Sequence, residues 1–427
     1  MSQHATAEPA RTPAAHGWPQ ALAAVLAGYL AMIVTAVLGL WAAGATGLPD
    51  GAFPQVVAAV VVLAVGGSVE VAGDAGEIAR SDAALDALPL SVTVVGALVA
   101  AALFLRPLRR RAVAGAPELA GWALRIAVLW LVCLGVLAAV ARHTFTIEFD
   151  DPTGGLIGDV FGATPRVGFR TEVPQTLVIG LLWLAGVLAL ALLVSRGAPL
   201  PPRLLRFQEA VRPAAYTMVA LLLATLAIGV VIGVVVAATR GHAAETLAVI
   251  LLGLPNLMWL ALTVGLGTGW EGTVKGPFGL PMPQLLDEVL RTGDLATLDL
   301  GALTERDARA WWLLVVAALL VFGAAFLMAV RSSARVRPWQ HALRMAVALA
   351  LTLTAVSLLA RVSAHFGLSL LGIGDLGGDL GGEVSLRPML WQAFLLGAGW
   401  GLVSGFLCGL LATRFRHHGE APPAPRP

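Results

Sequence analysis

The chain has 427 residues, of which 58% are hydrophobic and 13% charged, with a mean hydropathy of +0.83. A soluble domain carries about 25% charged residues, so too few charges are present here to clothe a water-soluble fold of this length. The net charge of +2, from 28 basic and 26 acidic residues, excludes the strongly basic field of a nucleic-acid binder.

Residues 1–17 are polar and Pro/Ala-rich and read as a disordered tail. An apolar run from Trp18 to about Ala43 follows, too long for a signal-peptide core, so it is read as an uncleaved first span. Further runs of spanning length lie at Leu88–Leu105, Leu119–Ala141, Thr176–Val194, Ala214–Ala238, Trp311–Val330, Ala342–Val362 and Leu390–Ala412. The sequence thus predicts an all-α, polytopic bundle of eight spans.

Two other apolar segments, Phe53–Val71 and Ala244–Gly267, are irregular. The first reaches Gly66-Gly67 and Glu70 after a helix too short to cross, and the second is broken by Gly253-Leu254-Pro255-Asn256. Arginines decide their treatment. The clusters Arg106/Arg109/Arg110/Arg111, Arg196/Arg203/Arg206/Arg212, Arg331/Arg335/Arg337 and Arg414/Arg416 share one side only if neither segment crosses. Both are therefore read as re-entrant, returning to the outer side, with both termini cytoplasmic in a plasma membrane. Trp18, Trp122 and Trp339 fall at inner span ends and Trp41, Trp311, Trp312 and Trp391 at outer ends, while Trp130, Trp183 and Trp400 fall mid-span as core.

The chain also repeats itself. Ala123-Leu124-Arg125-Ile126-Ala127-Val128 recurs 219 residues later as Ala342-Leu343-Arg344-Met345-Ala346-Val347. Ile157-Gly158-Asp159 recurs as Ile373-Gly374-Asp375, and Gln175, Gly180 and Trp183 recur as Gln392, Gly397 and Trp400. The expected organisation is a first membrane repeat at 18–196, a cytoplasmic basic linker at 197–212, a second repeat at 213–416 and a tail at 417–427. Each repeat holds four spans and one re-entrant segment, and the two are parallel, related by an axis along the membrane normal.

Broken segments at matching places in two halves point to a transport site. The candidate pathway or ligand residues are accordingly Glu70 and Asn256, with Arg125 and Arg344 near the inner mouth; the competing reading of these arginines is snorkelling to the interface. Arg142 and Arg361 lie at the outer ends and are read as loop anchors pairing with Asp159 and Asp375. Gly397, Gly401, Gly405 and Gly409 recur every fourth residue, a packing face for a close helix that is either in the same chain or across a dimer.

Other motifs carry no chemistry. Gly372-Ile373-Gly374-Asp375-Leu376-Gly377 has the dinucleotide spacing but lies in an outer connection rather than a βαβ unit. The acidic stretches around Asp82–Asp86 and Asp150–Asp151 read as solvated caps. His143 and His365 stand near outer span ends, where a loop contact is preferred over a pH sensor. Thr304 with Asp307 reads as a capping start for the next span, and Pro283–Leu290 as a short surface helix. Cys133 and Cys408 fall in apolar runs and read as buried small hydrophobes. The single lysine, Lys275, lies in no phosphate loop, and no zinc-protease or serine-hydrolase motif is present. No catalytic residue, metal or cofactor is expected; the partners expected are membrane lipid and a second copy or partner membrane protein at the glycine face.

The stretches GLWAAGATGLPDGAFPQVVAAVVVLAVGGSVE, LPPRLLRFQEAVRPAAY, ETLAVILLGLPNLMWLA and SAHFGLSLLGIGDLGGDLGGE resemble the streptophobe family, highly hydrophobic multi-pass proteins of streptomycetes and relatives. The resemblance implies an actinobacterial plasma membrane and carries no activity or site residue with it. Three functions stay open: a transporter or channel-like permease with a pathway between the repeats, a non-transporting scaffold or accessory subunit, and a membrane enzyme acting on lipid-linked substrates.

Overall fold

A computed structural model describes residues 17–48, 51–74, 79–108, 116–146, 166–195, 202–275, 296–332, 336–370 and 382–417. Among the described residues eight helices are long and apolar enough to cross a membrane: α1 (Trp18–Ala42), α3 (Leu90–Leu108), α4 (Ala116–Val140), α5 (Val173–Val194), α6 (Pro202–Arg240), α10 (Trp312–Arg331), α11 (Pro338–Ala360) and α12 (Leu390–His417). Between them lie α2 (Phe53–Ala64), the bent pair α7 (Ala243–Leu252) and α8 (Leu254–Gly265), and the short α9 (Leu300–Arg306). Helix starts carry ordinary signals: prolines open α1, α2, α5, α8 and α11, where the missing N–H has no partner to lose. Outward stripes such as Leu22, Leu26, Leu30, Val34 and Leu38 on α1 stay exposed, as lipid-facing residues spaced by four along a helix would be.

The bundle is not all of the fold. The connections on one side form eight strands: β1 (Val69–Asp74), β2 (Ala79–Ala87), β3 (His143–Thr146), β4 (Arg166–Thr171), β5 (Trp270–Lys275), β6 (Ala296–Leu298), β7 (Val362–Leu370) and β8 (Gly382–Pro388). They make one antiparallel sheet in the order β3-β4-β1-β2-β7-β8-β5-β6. Its middle joint is the longest ladder, β2 on β7, running from Ala79 opposite Leu370 to Ala87 opposite Val362. The all-α expectation is thereby corrected in this layer. Connections read as solvated caps, including Asp82–Asp86, are strands because backbone leaving several helix ends together is satisfied by pairing.

The sheet also fixes the direction of the helices that adjoin its strands. Strands immediately precede α3, α5, α9 and α12 and immediately follow α4, α8 and α11. Arg106, Arg212, Arg331 and Arg337 therefore lie toward the opposite side. The start of α6 is placed there as well, because the Arg331 guanidinium lies 3.9 Å from the Tyr216 ring centroid. A 75° bend separates α7 from α8, and the pair begins after the sheet-side end of α6 and ends in β5. The α2 helix has 12 residues, about 18 Å at 1.5 Å per residue, against a hydrocarbon core of about 30 Å.

Three apolar cores hold the described helices. The first gathers residues of α1 to α5 around Met32, Val62, Trp130 and Leu134; the second gathers α6 and α10 to α12 around Val321, Met345, Leu349 and Leu353. The smallest joins α8 and the starts of α3 and β5 to the end of α11, around Leu90, Trp259, Val264, Trp270 and Ala360. Tyr29 stacks on Trp130 at 4.3 Å and Trp130 on Trp183 at 5.3 Å, while the Tyr29 hydroxyl donates to the Trp130 carbonyl. Trp122 departs from the interfacial belt: it is buried, and its indole N–H donates to the Phe104 carbonyl near the end of α3. The stretch read as a basic linker is helical from Pro202, as the first part of α6. There Gln208 is buried and donates to the carbonyls of Leu192 and Ser195, capping α5. Asp299 caps α9 by accepting from the Ala302 N–H at 2.8 Å. Of the two residues read as a capping start for the next span, Thr304 lies inside α9, while Asp307 caps the turn that leads into α10 by accepting from the Arg309 N–H.

Candidate functional site

The α2 helix and the bent α7–α8 pair stop the same way. At the end of α2, Gly66 N–H donates to Leu63 O and Gly67 N–H to Val62 O; at the end of α8, Gly267 N–H donates to Val264 O and Thr268 N–H to Thr263 O. Gly66 and Gly267 have φ of 88° and 96°, the left-handed geometry that closes a helix with a six-to-one bond and favours glycine. Each chain then leaves directly into a strand, β1 or β5.

The polar ends of both segments converge on one stretch, Leu88–Thr93, at the start of α3. The Asn256 side chain donates to Leu88 O at 3.0 Å and accepts from Leu90 N–H at 3.3 Å. Ser91 Oγ donates to Ile250 O at 2.8 Å, and Thr93 Oγ1 donates to Ala64 O at 2.6 Å. The logic is that of helix ends: the last turn of α2, and the last turn of α7 before its bend, leave carbonyls without helical partners, and hydroxyls of α3 satisfy them. Sequence reading found Asn256 but missed Ser91 and Thr93. The break at Gly253–Pro255 implied orphaned carbonyls, yet nothing local to 88–93 marks it as the place where they dock.

The remaining sequence-predicted residues do not join this cluster. Glu70 sits in β1, register-paired with Arg170 of β4, and accepts from that guanidinium at 3.2 Å on the exposed sheet surface. Arg125 lies nine residues into α4 and Arg344 six into α11; both are half-buried, toward the end away from the sheet. Arg142 and Arg361 are exposed at sheet-side helix ends, and their proposed partners Asp159 and Asp375 lie outside the described residues, as do Gly372–Gly377, Asp150–Asp151 and Pro283–Leu290. His143 and His365 belong to β3 and β7.

The glycine face of α12 meets a helix of the same chain. A Cβ at Gly397, Gly401 or Gly405 would fall 2.7, 2.5 or 2.9 Å from the Cα of Ala350, Ala346 or Ala342 on α11, and one at Gly409 would fall 3.1 Å from the Cα of Pro338. A second feature accompanies the α8 turn: a cavity of about 480 Å³ bordered by Gly267, Gly269, Asp299, Trp391 and Gln392. The Gly269 N–H donates to Gln392 Oε1 at 2.7 Å, and the indole N–H of Trp400 donates to Leu266 O. Chemically, the Leu88–Thr93 cluster offers neutral hydrogen bonds already used between backbone and side chain. Among the described residues no group of three or more His, Cys, Asp and Glu side chains is placed to hold a metal ion. Comparison with protein-family models, curated proteins and solved structures returns no match to this chain.

Proposed function

We propose that this chain is a duplicated eight-pass plasma-membrane protein that acts as a non-transporting scaffold, with the sheet as its working surface. The duplication draws support from topology as well as from the recurring sequence. The first four strands are ordered β3-β4-β1-β2 and the last four β7-β8-β5-β6, the same order when each half is counted from its first strand. Helix neighbours correspond too: α1 with α3 and α4 in the first half, α6 with α10 and α11 in the second. The matching of Gly66 with Gly267 as left-handed caps adds a third parallel.

Orientation follows from the arginine clusters on the side opposite the sheet, which the positive-inside bias assigns to the cytoplasm; both termini are then cytoplasmic and the sheet faces outward. The likeness to streptophobes fits an actinobacterial cell.

The sheet carries the scaffold reading. It is continuous across both halves through the β2–β7 ladder, so one rigid surface links all the outward connections that enter it. A permease would need Glu70, Asn256 and the two arginines along one wet passage. Instead Glu70 is ion-paired on the sheet, Asn256 holds two backbone groups, and the arginines lie toward the far end.

Photo-crosslinking in producing cells tests this reading. Probes at exposed sheet positions Glu271 and Arg387 are expected to trap one defined partner protein, while probes at lipid-facing Leu319 and Leu351 trap none. Protein-dependent ion or solute flux in proteoliposomes, abolished by Asn256→Ala without loss of the folded chain, would reverse it in favour of transport.

A further inference from the structure

The cavity at the α8 turn has the composition of a binding site, and its place in the fold says for what. Its volume of about 480 Å³ lies within the roughly 300–1,000 Å³ typical of small-ligand pockets. One wall is apolar: Trp391, Leu395 and Leu396 in the first two turns of α12, with Met389 just before them. The other wall comes from the sheet-side connection, where Asp299 and Thr297 border the opening. The apolar wall points along a membrane span and the polar wall away from it, so an occupant with a tail and a head would be held upright at the interface.

Charge narrows the head. Among the described residues Asp299 is the one ionisable residue in the wall, and its Oδ1 already accepts the Ala302 N–H, which fixes the carboxylate in place. Glu271 and Arg387 lie directly opposite each other in β5 and β8, and Glu271 is also opposite Thr297, so this neighbouring pair is electrically balanced. Gln392 Oε1 is occupied by Gly269 N–H. A carboxylate and an indole lining one cavity favour an organic cation, through ion pairing and the π face together.

We propose that this cavity binds an amphiphile with an alkylammonium head, the head at Asp299 and Trp391 and the tail along Leu395 and Leu396. The proposal does not rest on the scaffold reading. The turn that ends α2 is packed more tightly: a Cβ at Gly66 would meet Ile179 at 2.8 Å and one at Gly67 would meet Val62 at 2.5 Å and Thr176 at 2.9 Å.

Calorimetric titration of the full chain, delipidated and held in amphipol, tests it with decyltrimethylammonium, decyl maltoside and decyl sulfate below their micelle-forming concentrations. One saturable site is expected, preferring the cation to the sulfate by at least about ten-fold. Asp299→Asn keeps the helix cap, since asparagine caps as well as aspartate, and is expected to erase that preference. Leu395→Trp fills the cavity and should weaken cation and maltoside alike. Equal affinity for cation and sulfate, a preference that survives Asp299→Asn, or no saturable binding would each overturn the proposal. The source is read by native mass spectrometry after extraction from mixed phosphatidylethanolamine and phosphatidylglycerol vesicles. Phosphatidylethanolamine retained by the wild-type chain and lost in Asp299→Asn assigns a membrane lipid; decyltrimethylammonium binding without such retention assigns a free alkylammonium compound.

Discussion

The helix pairs α4–α5 and α11–α12 solve one packing problem in opposite ways. On α12, Gly397, Gly401, Gly405 and Gly409 let the backbone of α11 approach until no Cβ would fit. On α5, the positions 217 residues earlier are Gly180, Leu184, Leu188 and Leu192. Leu184 and Leu188 are buried in the first core beside the Tyr29–Trp130–Trp183 stack. In the first pair the helices stand apart and large side chains fill the gap. In the second, backbone contact replaces side-chain volume. In lipid, where apolar burial between helices gains little over contact with acyl chains, close approach and side-chain packing are alternative routes to the same dispersion energy.

The largest expected effect breaks that contrast directly. Gly401→Leu would place a Cβ 2.5 Å from the Ala346 Cα, a backbone atom that cannot rotate away. Overpacking of this kind costs about 1–3 kcal/mol or more, and here it would separate the two helices. A fall in thermal unfolding temperature with loss of a monodisperse elution peak is expected. The converse exchange, Leu184→Gly, leaves a cavity in the first pair and should cost about 2–5 kcal/mol. If leucine at 401 were tolerated, the close α11–α12 contact would not be a source of stability.

Next comes the seam between the halves. Asn256→Ala removes both bonds to Leu88 and Leu90 and strands a partly buried N–H and carbonyl, at about 1–3 kcal/mol. Asn256→Asp keeps an acceptor for Leu90 but presents a second acceptor to the Leu88 carbonyl, so it should be at least as damaging as alanine. Faster proteolysis near the β2–α3 junction would report either loss. Equal stability of Asn256→Asp and the wild-type chain would mean that the side chain does not latch the bent pair to α3.

How much of this was legible follows from what each feature depends on. Eight spans could be read because about 20 apolar residues per crossing is a local property, and the α8 break because Pro255 acts on its own helix. The sheet was also partly written down. In β7, Val362, Ala364, Phe366, Leu368 and Leu370 alternate with Ser363, His365, Gly367 and Ser369, a period of two that marks a strand. Glycine and acid content nearby masked it, and pairing such as Ala79 with Leu370 joins residues 291 positions apart. The Leu88–Thr93 docking stretch and the Asp299 cavity arise from tertiary placement alone. Glu70 was noticed as a charge beside a broken helix, but the strand register that hands it to Arg170 lies a hundred residues away.

A milder pair of variants sharpens the contrast between the two turns. Gly66→Ala and Gly267→Ala both force a non-glycine residue to positive φ, a strain of about 1 kcal/mol each. Their surroundings differ, however. A Cβ at Gly66 falls 2.8 Å from Ile179 Cγ2, whereas one at Gly267 meets nothing nearer than Leu396 at 3.6 Å. Thermal unfolding should therefore show the larger drop for Gly66→Ala. Equal drops would mean that Ile179 moves aside freely, and the first turn would then be no more tightly sealed than the second.

The smallest effect belongs to the ion pair made by Glu70, one of the residues that sequence reading placed on a pathway. Arg170 has 77% of its side chain exposed and Glu70 43%, so water screens the charges and their pairing should contribute less than about 1 kcal/mol. Arg170→Gln keeps a long polar side chain opposite Glu70 and leaves the β1–β4 ladder intact. Its unfolding temperature should differ little from the wild type at low salt, and the difference should vanish as the Debye length shrinks to about 3 Å near 1 M salt. A loss that persists in high salt would contradict the screened geometry. It would place Glu70 in a drier environment, and a role for that carboxylate beyond the sheet surface would again be required.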